Sequence, residues 1–250
     1  MNPPARNSLT ALLWNANGVY YHKNELTLLL NDKNVDVALI TETRLTTRKQ
    51  FNIPGYRTYR TDHPDGRAHG GVALLVRSNL SHHLIPSDPT DYLQSSTVSL
   101  STFSFPVTLA AVYCPPNKSI TPTQFGQLFD SLGPHFLAGG DYNAILLQWG
   151  SRKTTSRGRS LYSSLSYRHL TTLSPNTPTY WPTDGNRVPD LIDFFVCKAN
   201  HRFHSSVSLS TISLPIIVRF SSPYHSNLSR NRLLLHGLTG QLTGISFNTS

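Results

Sequence analysis

Two short runs, VDVALIT (35–41) and VTLAAVY (107–113), constrain this chain more than any other feature. Each is almost continuous in apolar or small side chains, yet too short for a core helix. Such runs are expected of strands buried on both faces, and a sheet covered on both faces demands a layered architecture. GVALLV (71–76) reads the same way. Residues 8–14, 96–103, 136–138, 191–196 and 214–220 are further strand candidates. Turn-forming strings such as NANG (15–18) and Pro115-Pro116 separate them.

Three segments carry a helical period. Residues 19–31 present Leu26, Leu29 and Leu30 on one side. Residues 123–132 present Phe125, Leu128, Phe129 and Leu132 at i, i+3, i+4 and i+7. Residues 157–169 carry Leu161 and Leu165 among many serines. Strands outnumber helices and alternate with them, which predicts an α/β fold of layered sheets rather than a bundle. No internal repeat is evident. Residues 8–220 read as one domain. Residues 221–250 turn to Ser, Asn, Leu and Gly and read as a weakly structured tail, with a short helix over 229–236 as the other reading.

Composition narrows the chemistry. Cys114 and Cys197 are the only cysteines, which excludes a disulfide scaffold and a Cys-rich zinc module. No apolar run approaches the roughly 18 residues of a membrane span, and the first residues lack the apolar core of a signal peptide. Lys and Arg number 22 against 13 Asp and Glu, a net charge of +9 that favours a polyanionic partner. So few acids can be inspected one by one. None lies after Asp193.

Polar residues gather just after the strand-like runs, where open α/β folds bind ligands. Asn15 and Asn17 follow the first run, Glu42 follows VDVALIT, Tyr113 ends VTLAAVY, Asp141 and Asn143 follow FLAGG, and Asp193 lies in DLIDFFV. Singly, each has a structural reading as a turn former, a helix cap or a satisfied buried carboxylate. His63, His69, His82 and His83 lie close in sequence, but no pair has the spacing of a helical zinc site and no cysteine is near. Gly70-Gly71 reads as a loop needing close backbone approach rather than a phosphate cradle. Arg44, Arg67, Arg77, Arg152, Lys153, Arg157 and Arg159 lie near these loops, either as a rim for phosphates or as ordinary solvated surface.

Taken in order, WNANG (14–18), ITETRL (40–45), HGGVALLV (69–76), AVYCPP (111–116), GGDYNA (139–144) and PTYW…PDLIDFFV (178–196) resemble the endonuclease-exonuclease-phosphatase superfamily, which includes abasic-site endonucleases. FNIPGY, HPDGRAHGG, WGSR and RGRSLY make the likeness strongest to the endonuclease domain of jockey-like non-LTR retrotransposons. The resemblance spans about residues 8–220. It implies a four-layer sandwich of two mixed β-sheets flanked by helices, and hydrolysis of a DNA phosphodiester with Mg2+ or Mn2+ by a nuclear protein. It implies further that Glu42 and Asn15 serve the metal, and that Tyr113, Asp141, Asn143 and Asp193 are catalytic. Asp193 would orient a histidine. Asn17, His69, Asp190 and Trp149 fall at substrate-binding positions, though a turn role for His69 and a local hydrogen-bonding role for Asp190 stay open. In an intact element a reverse transcriptase would follow; none lies within these 250 residues.

The chain departs from the family pattern at its last motif. The family reads Ser-Ser-Asp-His-Leu-Pro before the final strand. Here the string is Ser210-Thr211-Ile212-Ser213-Leu214-Pro215, so Ile212 and Ser213 occupy the aspartate and histidine positions. Ile can neither bind a metal nor accept a proton, and Ser is a poor substitute for imidazole. Ile145 and Leu146 also stand where relatives carry Lys-His. The expectation is a folded endonuclease domain with impaired catalysis. The rival readings are a non-catalytic DNA-binding remnant and a phosphatase of the same superfamily.

Overall fold

The computed structural model describes residues 8–87, 90–101, 105–175, 177–181, 188–198, 204–209 and 215–221. The degenerate positions Ile212 and Ser213, and the tail beyond 221, lie outside the described residues.

Two six-stranded mixed sheets form the body. The first contains β1 (Ser8–Asn15), β2 (Val37–Thr41), β3 (Tyr56–Thr61), β4 (Val72–Arg77), β11 (His204–Leu209) and β12 (Ile216–Ser221), in the order β11-β12-β1-β2-β4-β3. The second contains β5 (His82–Ile85), β6 (Gln94–Leu100), β7 (Val107–Tyr113), β8 (Phe136–Asp141), β9 (Leu170–Leu173) and β10 (Asp193–Lys198), in the order β5-β6-β7-β8-β10-β9. Each sheet has one parallel pair at its centre, β1 with β2 and β7 with β8; the other neighbours are antiparallel.

Alternation along the strands builds the layers. Leu9, Ala11 and Leu13 of β1, with Val37 and Leu39 of β2, point inward against Leu109 and Ala111 of β7, Leu137 of β8 and Phe195 of β10. The intervening Leu12, Trp14, Ala38 and Ile40 point outward and are covered by Leu26, Leu29 and Leu30 of α1 (Lys23–Asp32). On the other side Ala110, Val112, Phe194 and Val196 are covered by Phe125 and Phe129 of α2 (Pro122–Ser131) and Leu161 and Leu165 of α3 (Ser156–Tyr167). Each buried Leu or Phe contributes roughly 1.5–3 kcal/mol through area removed from water. The predicted four-layer sandwich is therefore present, and all three predicted helices form.

Four strands escaped the sequence reading: β3, β5, β9 and β11. They are the four edge strands. An edge strand is covered less fully, and β3 (YRTYRT) and β5 (HHLI) carry the polar residues that keep edges from pairing with other chains.

Candidate active site

The two parallel pairs end at the same side of the sandwich, and their carboxyl ends carry the polar residues. Asn15 ends β1 and pairs with Thr41, the last residue of β2, which delivers Glu42. Tyr113 ends β7 and pairs with Asp141, the last residue of β8. Asp193, the first residue of β10, pairs with Asp141 from the other side.

Asn15 joins the two sheets. Its Nδ2 donates to Glu42 Oε1 at 3.1 Å and to Asp141 Oδ2 at 3.0 Å. Its Oδ1 accepts from the backbone N–H of Asn17 at 3.2 Å, so the turn after β1 fixes the amide. Arg44 donates to the other Glu42 oxygen at 3.2 Å. Asn143 N–H donates to Asp141 Oδ1 at 2.9 Å, and its side-chain amide donates to the Cys114 carbonyl at 3.1 Å. Thr179 Oγ1 accepts from the N–H groups of Ile192 and Asp193 at 3.1 and 3.0 Å and sets the start of β10.

Local backbone strain concentrates here. Among the described residues, six non-glycine residues have positive φ. Asn34 and His169 follow the C-caps of α1 and α3, the ordinary place for a left-handed residue. The other four are Asn17 (44°), Glu42 (48°), Arg44 (50°) and Asn143 (46°), all at the site. Each such residue costs about 1 kcal/mol or more. Backbone bonds hold them: Gly18 N–H to Glu42 O at 2.8 Å, Val19 N–H to Thr43 O at 3.1 Å, Thr43 N–H to Gly71 O at 3.2 Å and Arg44 N–H to Gly70 O at 2.9 Å. Gly140 is equally constrained, since a Cβ there would lie 2.0 Å from the Val112 carbonyl oxygen.

Burial and like charge dominate the electrostatics. Asp141 is 1% exposed and Asp193 is 5% exposed. Burial raises the Asp141 carboxyl well above the ordinary range, and the nearby Asp193 and Glu42 carboxylates raise it further. Burial likewise raises Asp193; hydrogen bonding to Thr179 opposes this and Glu42 adds to it. Burial, then Glu42 and Asp141, raises the Tyr113 phenol above its ordinary value, so it is a hydroxyl donor at neutral pH and beyond. Asp193 Oδ1 is buried without a hydrogen-bond partner among the described residues. Converging carboxylates and an orphaned carboxylate oxygen fit a hard divalent cation, whose preferred ligands are oxygens. Glu42 could hold it, with Asn15 beside it.

A cleft of about 820 Å³ opens over these groups, lined by Glu42, Asp141 and Asn143, by the apolar Ile145, Val188 and Ile192, and by Arg152, Lys153, Tyr180 and Asp190. Asp190 Oδ1 also accepts from Leu191 N–H at 3.1 Å, the local role left open for it. Ile145 faces the cleft, whereas Leu146 is 2% exposed and buried. Trp149 packs on Phe194 at 5.0 Å and is not among the described residues lining the cleft. Asn17 is exposed beside the site, and Gly70 lies against Tyr113 and Gln94, the close approach expected of Gly70-Gly71. His69 is not in the cleft lining; it bonds to Asp65 Oδ2 at 2.8 Å.

Two basic residues leave the expected rim. Arg77 sits at the opposite end of β4, donating to the Val35 carbonyl at 3.0 Å. Arg157 is 7% exposed, and its guanidinium caps the carbonyls of Cys114 (3.2 Å), Pro115 (2.6 Å), Pro116 (3.3 Å), Tyr142 (3.5 Å), Asn143 (3.4 Å) and Lys118. Six carbonyls around one buried side chain need a fork of donors, which is why an arginine is buried there. Gln94 was not singled out from the sequence. It sits opposite Tyr113 in the register, and its Oε1 accepts from Gly71 N–H at 2.8 Å. A glutamine opening a buried strand is the signal that could have identified it.

A profile of the Endonuclease/Exonuclease/phosphatase family matches residues 12–214. The chain is 33% identical over 228 residues to the RNA-directed DNA polymerase from mobile element jockey of Drosophila melanogaster, covering 90% of this chain and 25% of that protein. The corresponding jockey protein of Drosophila funebris is 37% identical over 184 residues, 74% of this chain and 20% of that protein. The chain thus spans a quarter or less of the length of these relatives. Among solved structures, the endonuclease domain of TRAS1, a telomere-specific non-LTR retrotransposon, superposes with a TM-score of 0.69 at 23% identity, over 86% of this chain and 99% of that one.

Proposed function

Because the chain belongs to the endonuclease/exonuclease/phosphatase family, we propose that it is the DNA endonuclease domain of a jockey-like retrotransposon whose catalytic step is impaired in this copy. The observation that carries the reading is the bridge from Asn15 to Glu42 and Asp141 at the mouth of the cleft. Similarity to the jockey proteins supports the retrotransposon origin. Arg44, Arg152 and Lys153 beside the carboxylates support a polyanionic substrate. A nuclear site of action and a reverse transcriptase partner go with this reading.

Mg2+ or Mn2+, held by Glu42 with Asn15 alongside, would neutralise charge developing on the scissile phosphate. Tyr113 donates its hydroxyl to a phosphate oxygen, and burial keeps that proton in place. Asn143 Nδ2 gives one hydrogen to the Cys114 carbonyl and keeps its second N–H to donate to a phosphate oxygen. Asp141 accepts a proton from the water that attacks phosphorus as the bond to the leaving 3′ oxygen breaks, and that oxygen takes the proton up; Asn143 N–H steadies the second Asp141 oxygen. Asp193 would orient an imidazole from position 213, where this chain has Ser213. General acid–base groups contribute about 10²–10⁴-fold in rate, so binding should outlast turnover.

Plasmid nicking and duplex binding by the purified chain, each with Mg2+ and with EDTA, test the reading. Salt-sensitive binding with nicking near background is expected. Turnover of a phosphoinositide without DNA binding would overturn it in favour of a phosphatase.

A further inference from the structure

The loop between β3 and β4 gathers three side chains that the catalytic reading does not use. His63 Nδ1 lies 2.8 Å from Asp65 Oδ1, and His69 Nε2 lies 2.8 Å from Asp65 Oδ2. The two imidazole rings are 3.8 Å apart at 34°. One ligand atom from each residue falls within 4.8 Å of the other two. The residues are spaced H-x-D-x3-H on an irregular turn, which is why helical zinc spacing did not reveal them.

Two imidazoles and one carboxylate suit a borderline divalent ion of the zinc class, unlike the oxygen ligands expected from Glu42 and Asn15. We propose that His63, Asp65 and His69 form a second cation site, selective for zinc-class ions, with a further coordination position open to solvent. His63 is the anchored member, its side chain only 12% exposed, while His69 at 51% is reachable from solution. The turn is already shaped: Arg67 N–H donates to Asp65 Oδ1 at 2.9 Å, and His69 N–H to the Arg67 carbonyl at 2.9 Å. In the metal-free protein the two imidazoles face the carboxylate oxygens directly, and an entering ion would take its place between the three side chains.

The position gives the ion a structural consequence. Gly70 follows His69 directly, and a Cβ there would meet Gln94 Oε1 at 2.9 Å and the Tyr113 ring at 3.1 Å. The carbonyls of Gly70 and Gly71 hold Arg44 and Thr43, the residues after Glu42. An ion on this turn therefore stiffens one wall of the candidate active site from outside. The site stands on its own geometry and does not depend on the nuclease reading.

The test is calorimetric titration of the full chain with zinc alone, with cobalt absorption as a second readout. One equivalent should bind with roughly micromolar or tighter affinity. His69→Gln and His63→Gln should each weaken binding at least about tenfold and abolish the cobalt band. His83→Gln, at an exposed histidine of β5, should change neither. His69 is exposed, so its variant keeps the fold, which circular dichroism checks. Zinc affinity weaker than about 100 µM, or equal in wild type and His69→Gln, would overturn the proposal.

Discussion

Asn15 donates an amide hydrogen to Asp141 at 3.0 Å, and by that bond a residue of the first sheet grips a buried carboxylate of the second. The same nitrogen reaches Glu42 at 3.1 Å. One neutral donor thus stands between two carboxylates. Asn15→Ala should destabilise the protein by about 1–3 kcal/mol in EDTA, because both acceptors lose a partner they cannot replace. Added Mg2+ should narrow the gap by supplying charge instead. Urea denaturation with and without Mg2+ checks this; equal stability of wild type and variant in EDTA would show that the bridge carries no energy.

The buried carboxylates set a pH dependence of definite sign. Burial raises Asp141 and Asp193 above their ordinary 3.8, Asp193 to about 7. The native state then binds more protons than the unfolded chain across that window. Stability contributed by the pair is fully present below about pH 4 and is lost as the pH rises towards 7. Asp130 and Asp91, held low by hydrogen bonds from Arg168 and Lys118, act below this window. Asp193→Asn should flatten the slope and stabilise the metal-free protein at pH 7 by roughly 1–3 kcal/mol. Denaturation midpoints measured from pH 4 to pH 7 decide it, and a variant slope as steep as wild type would reject the assignment.

Arg157 links the loop after Tyr113 to the loop after Asp141. Arg157→Met should cost about 3 kcal/mol or more, since several buried carbonyls lose their donor at once. Arg157→Lys should recover only part, because an ammonium lacks the planar fork. If the lysine variant matched wild type in urea, charge alone would explain the residue.

Arg152 and Lys153 line the cleft, whereas Arg77 lies at the far end of its strand. Duplex affinity should fall steeply with salt. Arg152→Gln with Lys153→Gln should reduce the slope of log K against log salt by about 1–2. Arg77→Gln should leave that slope alone and lower stability through its bond to Val35. A slope unchanged by the double substitution would remove these residues from the interface.

Central strands and helices were legible because double-sided burial writes itself as VDVALIT and VTLAAVY. Edge strands β3 and β5 were not, because half-covered polar segments resemble loops. Glu42, Asn15, Asp141 and Asn143 were findable as polar residues at strand ends, since backbone order alone fixes where a strand stops. Arg157 was misread as rim because its role depends on carbonyls from several loops, which no local pattern announces. The His63–Asp65–His69 cluster was missed for a related reason: an irregular turn, not a helix, closes the distance.

Ile212→Asp with Ser213→His should restore turnover if those two positions are what limits it. Initial rates of supercoiled-plasmid nicking in Mg2+, compared between wild type and this double variant, decide the point. The double variant is expected to nick at least about 100-fold faster, with EDTA abolishing the gain. Robust, EDTA-sensitive nicking by wild type at a rate equal to the double variant would overturn the proposed impairment.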